Sequence, residues 1–326
     1  MAASACAAVT APNPTSGYVA VQVELLRRLQ HASVDLFVQY DPQVAPTLYH
    51  RAGCGLDPGS LSRLAEARVN NLYVLSEDLR QLGSSVLASV NDQDDVPPAE
   101  RYAALQLAMA VEIEHAARLV DCGPYVTIAE RLGQELTSVL SADKVLPGDL
   151  FRLARHDFNT FTHVTNVAGY AILLAERLEI CSGNELEQLA SAAILHDLGK
   201  RFIPADILTK PARLDPDERA VIETHPQRGY EELCQRPDLS FDQLMMVYQH
   251  HERVDGKGYP VGLQGDEIHP WARMLAVVDV FDAMTGIRPY RRPATAQEAM
   301  RYIQQSSGTH FDPEVVACWC TAMTRK

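Results

Sequence analysis

Hydrophobic and polar positions change rhythm along this chain. Over residues 34–40 and 47–50 they alternate with period two, as in strands that bury one face. Residues 71–75 (Asn-Leu-Tyr-Val-Leu) read as a further strand, and residues 60–68 between them read as helix. This predicts a small α/β or β-rich module over residues 18–90. The run Asn91-Asp92-Gln93-Asp94-Asp95-Val96-Pro97-Pro98 is polar and acidic and ends in two prolines, which marks residues 91–98 as a linker. Beyond it apolar residues recur at helical spacing, predicting helices over 99–120, 126–140, 151–178, 185–197, 216–224, 241–251, 272–285 and 296–305. The expected order is a disordered tail (1–17), the module (18–90), the linker (91–98), a helical connector (99–148) and an all-α domain (149–326). The helices over 99–140 suit a connecting bundle or the seam of a homodimer, with burial inside their own domain the simpler outcome. No internal repeat is visible.

A chain of 326 residues has room for two cores, and 47% hydrophobic with 22% charged residues is the composition of a soluble globular protein. A net charge of −13 argues against nucleic-acid polymers and anionic membranes, which reward basic surfaces, and leaves an anionic small molecule open. Seven scattered cysteines suit free thiols in a reducing cytosol, so a cytoplasmic location is expected. Cys318-Trp319-Cys320 lacks the spacing of a zinc half-site and reads as helix packing. No apolar run is long enough to span a membrane, and the Ala-rich start with Pro12 and Pro14 lacks the basic segment of a signal peptide.

The chemistry concentrates in the helical half. An apolar helical run over 188–195 ends in His196-Asp197-Leu198-Gly199-Lys200, with Gly199 expected as the helix stop. Neighbouring helix positions diverge by about 100°, so adjacent ligands serve two metals or two faces of one site, and a carboxylate between them can bridge cations. The helix over 241–249 likewise ends in His250-His251. Asp279 lies in an apolar helix, where a carboxylate is costly to bury without a cation or donors. With His163 upstream and His225 between, five imidazoles and two carboxylates can supply a two-metal site. His31, His50, His115, His156 and His269 read as surface or packing residues. A thiolate-free donor set suits iron, manganese, zinc, cobalt or nickel. Two such cations about 3.5–4 Å apart would bridge a hydroxide and clamp a phosphoryl group for in-line displacement. Lys200 could neutralise a phosphate oxygen; an ordinary solvated lysine is the plain alternative.

The ordered series His196–Lys200, Ile203-Pro204, Ile207-Leu208-Thr209-Lys210-Pro211, His225-Pro226, His250-His251-Glu252-Arg253-Val254-Asp255-Gly256-Lys257-Gly258-Tyr259-Pro260, Ala276–Thr285 and Arg288-Pro289-Tyr290-Arg291 resembles the HD superfamily of metal phosphohydrolases, and specifically its HD-GYP branch. The likeness covers residues 151–316, half the chain. It implies an all-α HD-type catalytic domain that hydrolyses cyclic di-GMP to pGpG, or onward to GMP. It implies two divalent transition metals per chain, iron or manganese foremost, with zinc, cobalt and nickel compatible. By position, His163, His196, Asp197, His225, His250, His251 and Asp279 would be the ligands and Asp197 the bridge. Lys200 would contact the scissile phosphate, and Arg288 and Arg291 would meet the substrate's phosphates. Gly258 and Tyr259 are expected at the substrate, the alternatives for that loop being a structural turn or a surface for protein partners. One position departs from the family: where some members carry a glutamate four residues before the first histidine and hold a third metal, this chain has Asn159, so two metals and a stop at pGpG are expected. Asp312 reads as a helix-start cap. The N-terminal module has no receiver-type acidic cluster and no nucleotide loop, which leaves regulation or oligomerisation as its expected role. The competing readings are a phosphodiesterase for another cyclic dinucleotide and a non-catalytic cyclic di-GMP receptor or adaptor.

Overall fold

A computed structural model describes residues 17–41, 44–67, 69–92, 95–117, 119–141, 145–153, 160–210, 212–286 and 292–324. The tail expected over 1–17 lies outside them except for Gly17, as do Asn159, Arg288 and Arg291. The chain forms two compact units, the first ending at Asp95 and the second starting at Val96.

The first unit runs β1 (Tyr18–Gln22), α1 (Val23–Leu26), β2 (Leu36–Val38), β3 (Thr47–His50), α2 (Pro58–Glu66), β4 (Asn71–Leu75) and α3 (Leu79–Asn91). The four strands form one sheet in the order β1-β4-β2-β3, every neighbouring pair antiparallel. Val21, Leu36, Val38, Leu72 and Val74 supply its buried face. Periodicity predicts β2, β3, α2 and β4, but neither β1 nor α3. The Gly83-Ser84-Ser85 stretch inside α3 looks like a helix breaker, yet Leu79, Leu82, Val86 and Val90 make a buried stripe at helical spacing. Burial of that stripe outweighs the propensity cost of roughly 1 kcal/mol at the glycine.

The second unit is helical: α4 (Pro98–Ala117), α5 (Gly123–Ser141), α6 (Pro147–Leu153), α7 (Thr160–Leu178), α8 (Asn184–Leu195), α9 (Ala205–Leu208), α10 (Pro216–Ile222), α11 (His225–Leu233), α12 (Phe241–Gln249), α13 (Pro270–Thr285), α14 (Ala296–Gln305) and α15 (Pro313–Thr324). Over the stretch read from sequence as a connector, α5 packs on α8 and α4 packs on α5 and α7. Helix α13 crosses α7 and α12. Tyr170 of α7, Phe281 of α13 and Trp319 of α15 meet edge to face, with centroids 5.2–5.7 Å apart, and all three are fully buried. The Cys-Trp-Cys triplet is therefore a core anchor with a thiol on either side. Asp312 caps α15 by accepting from the Glu314 backbone N–H at 2.8 Å. Among the described residues no helix is long and apolar enough to cross a membrane.

Candidate metal centre

Two helices end beside one another and deliver the two histidine-bearing doublets. Helix α12 starts at a capping box, in which Ser240 and Gln243 satisfy each other's backbone N–H groups. The Gln243 Nε2 also donates to Ser191 Oγ of α8 at 2.7 Å, which sets the register of the two helices. Helix α8 ends at Leu195, and the chain passes through His196 and Asp197 into a 3-10 turn over Leu198–Phe202. The ring centroids of His196 and His250 lie 5.0 Å apart as a result.

Gly199 has a different reason from the one expected. Helix α8 stops before it and its φ is not in the left-handed region. A Cβ there would lie 1.9 Å from the His225 carbonyl oxygen and 2.6 Å from the Gly229 nitrogen. The turn thus packs backbone against backbone on the first turn of α11 and brings His225 beside Asp197. The sequence pattern does not predict α11, whose buried positions are only His225, Pro226, Gly229 and Leu233.

The seven residues singled out from sequence converge. Asp197 stands between two groups, with Oδ1 3.4 Å from His225 Nε2 and Oδ2 3.5 Å from His196 Nε2 and 3.6 Å from His163 Nε2. Ligand atoms of His163, His196 and Asp197 cluster within 4.8 Å of one another, and so do those of His225, His250 and His251. Asp279 approaches His163 Nε2 at 3.1 Å and His196 Nε2 at 4.0 Å. Lys200 Nζ donates to Asp197 Oδ2 at 2.5 Å. Tyr259 leans its ring against His251, centroids 4.8 Å and planes 37° apart. Gly258 lies where a Cβ would sit 2.4 Å from the Arg253 nitrogen, so only glycine lets the loop fold back on the doublet.

Hydrogen bonds fix the state of the rings. His196, His225 and His250 each donate Nδ1–H to a backbone carbonyl three residues earlier, of Ala193, Ile222 and Val247, at 2.6–2.8 Å. A carbonyl only accepts, so in the neutral rings each Nε2 carries a bare lone pair. The Nε2 atoms of His225 and His250 face each other at 3.1 Å, two lone pairs with no proton between them. Burial, opposed by Asp279 and Asp197 but reinforced by the His225 imidazole and Lys200, pushes the His251 pKa down to about 3. Burial also lowers His196 and His250. At His163 burial acts the same way, but hydrogen bonds to Asp279 and Asp282 outweigh it and raise the pKa to about 10. Burial disfavours the charge on Asp197 and Asp279, yet Lys200 and the imidazoles around Asp197, and the His163 bond and imidazoles at Asp279, hold both below the usual carboxylate range.

Facing lone pairs, and a buried His196 Nε2 and Asp197 Oδ1 without hydrogen-bond partners among the described residues, fit divalent cations. Two further residues shape the site without having been singled out. Asp282 Oδ2 accepts His163 Nδ1–H at 2.8 Å, the carboxylate–imidazole pairing that orients metal-bound histidines. Glu252, buried, accepts from the backbone N–H groups of Val261, Gly262 and Leu263 at 2.7–3.1 Å and so closes the loop that carries Gly258 and Tyr259. The signal for Asp282 was available: it sits one turn after Asp279 in the same apolar helix.

Comparison with known proteins agrees with this geometry. A family model described as HD domain matches residues 151–315. The chain is 32% identical over 292 residues to a cyclic di-GMP phosphodiesterase of Pseudomonas aeruginosa, covering 84% of this chain and 70% of that protein. It is 38% identical over 162 residues to 3'3'-cGAMP-specific phosphodiesterase 2 of Vibrio cholerae, covering 48% of this chain and 30% of that protein. An HDG"Y"P protein of Bdellovibrio bacteriovorus has the same fold, with a TM-score of 0.67 at 17% identity over 94% of this chain and all of that one. The chain belongs to the HD domain family and, within it, to the HD-GYP branch whose motif series it carries.

Proposed function

We propose that this chain is a metal-dependent phosphodiesterase that opens cyclic di-GMP to linear pGpG. The observation that carries the reading is the seven-residue convergence on Asp197, whose two oxygens face two separate groups of imidazoles. His163, His196 and Asp279 would hold one divalent cation, His225, His250 and His251 a second, and Asp197 would bridge them. Iron or manganese is the proposed pair, with zinc, cobalt and nickel suited to the same donors. Bound there, two cations would draw charge from phosphoryl oxygens and make a water nucleophilic at neutral pH.

The chain's own residues supply the rest. Lys200, partly exposed beside Asp197, would exchange that carboxylate for a phosphate oxygen. Tyr259, tilted against His251, would wall one side of the site and present its ring to a guanine. Arg288 and Arg291, which lie outside the described residues, are proposed to neutralise the substrate's phosphates. Lys257 and Val261 leave the outer side of the loop exposed, and a protein partner would dock there. Asn159 offers a neutral amide where a third cation would need a carboxylate, which supports two metals and an end product of pGpG. A second reading keeps every step and changes one base: the Vibrio cholerae relative is named for 3'3'-cGAMP.

The test is anaerobic incubation of metal-quantified protein with cyclic di-GMP and, separately, 3'3'-cGAMP, with products resolved by nucleotide chromatography. Accumulating pGpG with about two metals per chain is the expected result, and a chelator should abolish it. Faster opening of 3'3'-cGAMP would move the assignment to that substrate. Metals retained with both substrates intact would make the chain a receptor.

A further inference from the structure

Helix α4 precedes the stretch that the HD domain model matches, yet one of its side chains leads to the metal site. Gln106 is fully buried between Leu105 and Leu107. Its Nε2 donates to Thr165 Oγ1 at 2.7 Å and to Asn166 Oδ1 at 2.8 Å. Asn166 Nδ2 in turn donates to Asp282 Oδ1 at 2.9 Å, and Asp282 Oδ2 accepts from His163 Nδ1 at 2.8 Å. The direction of each bond follows from the next. The Asp282 carboxylate only accepts, so the Asn166 amide must turn its NH2 to it and its carbonyl away. That carbonyl then needs a donor. The Thr165 hydroxyl donates to the Thr162 carbonyl at 3.1 Å, and its oxygen is the second acceptor. Gln106 reaches both with one NH2 group.

We propose that Gln106 is a positioning residue of the metal centre: acting through Asn166 and Asp282, it fixes the plane of the His163 imidazole. The Gln106 carbonyl has no partner among the described residues. Leaving a buried carbonyl unpaired is costly, and a leucine or methionine would hold α4 on α7 without that cost. The amide is therefore explained by what it orients. This inference rests on the reading of His163 as a ligand.

The test compares Gln106→Met with Tyr102→Phe. Tyr102 donates its hydroxyl to the Thr165 carbonyl at 2.7 Å, so its loss weakens the same helix contact and leaves the chain to His163 intact. Cobalt(II) affinity, measured by competition with a chromophoric chelator, and the visible spectrum of the cobalt form are read on the full-length protein. Gln106→Met should bind cobalt about 10-fold more weakly and shift the visible bands. Tyr102→Phe should lower Tm but keep the wild-type spectrum, with affinity within about twofold. Asn166→Leu, one link nearer the metal, carries the same expectation if Gln106→Met does not fold. A folded Gln106→Met or Asn166→Leu with wild-type affinity and spectrum would overturn the proposal, as would an equal loss in Tyr102→Phe. Wild-type protein that holds no cobalt would instead remove the reading of His163 as a ligand, and this inference with it.

Discussion

His196, His225 and His250 are oriented by carbonyls three residues earlier in the chain, whereas His163 is oriented by the Asp282 carboxylate, 119 residues away on another helix. The first kind of anchor is backbone, present in any sequence that makes the turn, and no single side-chain replacement removes it. The second exists only when α7 and α13 are packed in register. Ring orientation in the His225–His250 group is thus a local property, and at His163 a tertiary one. The Asp282 anchor, after Asp279, helps raise the His163 pKa against burial, whereas at His196 the Ala193 carbonyl raises it too little to offset burial.

Asp197 belongs to both sides, so its loss should have the largest effect. Asp197→Ala is expected to abolish hydrolysis and to empty both groups of metal, as read by elemental analysis and product chromatography. Unchanged turnover would remove the two-metal assignment altogether. Gly199→Ala attacks the backbone contact that holds His225 against the His-Asp turn. Neither neighbour of the added methyl is a side chain that can swing away, so unfolding in urea should show a loss of about 3 kcal/mol, the upper end for overpacking. A change below about 0.5 kcal/mol would mean the turn yields easily and His225 is not held by it.

Asp282→Asn tests the tertiary anchor. It keeps the shape and one acceptor for His163 while removing the charge, and it turns an NH2 toward the Asn166 amide that now donates there. Metal affinity should fall by about 10-fold, the low end for an outer partner, and Asp282→Leu by about 100-fold. The His225–His250 group should keep its cation in both variants, giving one tight and one weakened metal in a titration. Parallel weakening of the two would show that the halves are not oriented independently.

The local half of this arrangement was the more legible in sequence, for a physical reason. A helix announces itself by period, so a doublet at its end is seen at once: α8 before His196-Asp197 and α12 before His250-His251. His225 heads a helix whose buried face has few strong apolar residues, and its place came from motif order rather than from pattern. Gly199 was visible as a residue, but the meaning of its missing side chain depends on a carbonyl that arrives from α11. Asp282 and Gln106 are buried polar residues between apolar neighbours in their helices, a signal of buried need that says nothing of what the need is. In the first unit, β1 and α3 are settled by their partners: β1 by pairing with β4, and α3 by a stripe that Gly83 disguises.

The smallest effect is expected at Tyr259, where ring and hydroxyl separate cleanly. The ring leans on His251 with the planes 37° apart and lies 6.4 Å from His225, the latter held by the Ile222 carbonyl. Its hydroxyl makes no hydrogen bond to the described residues, and burial raises its pKa well above the usual phenol value, so it stays protonated throughout the working pH range. Tyr259→Phe keeps the ring contact and should change kcat and KM by no more than about twofold, since an unpaired hydroxyl contributes little. Tyr259→Ala removes the ring proposed to face the guanine, a contact worth about 0.5–1.5 kcal/mol, and should raise KM roughly 2–10-fold with metal content unchanged. A large loss in the phenylalanine variant would assign the hydroxyl a direct bond to substrate. Metal loss in the alanine variant would show that the rings of that half need a neighbour as well as their carbonyls, and the contrast with His163 would then be one of degree.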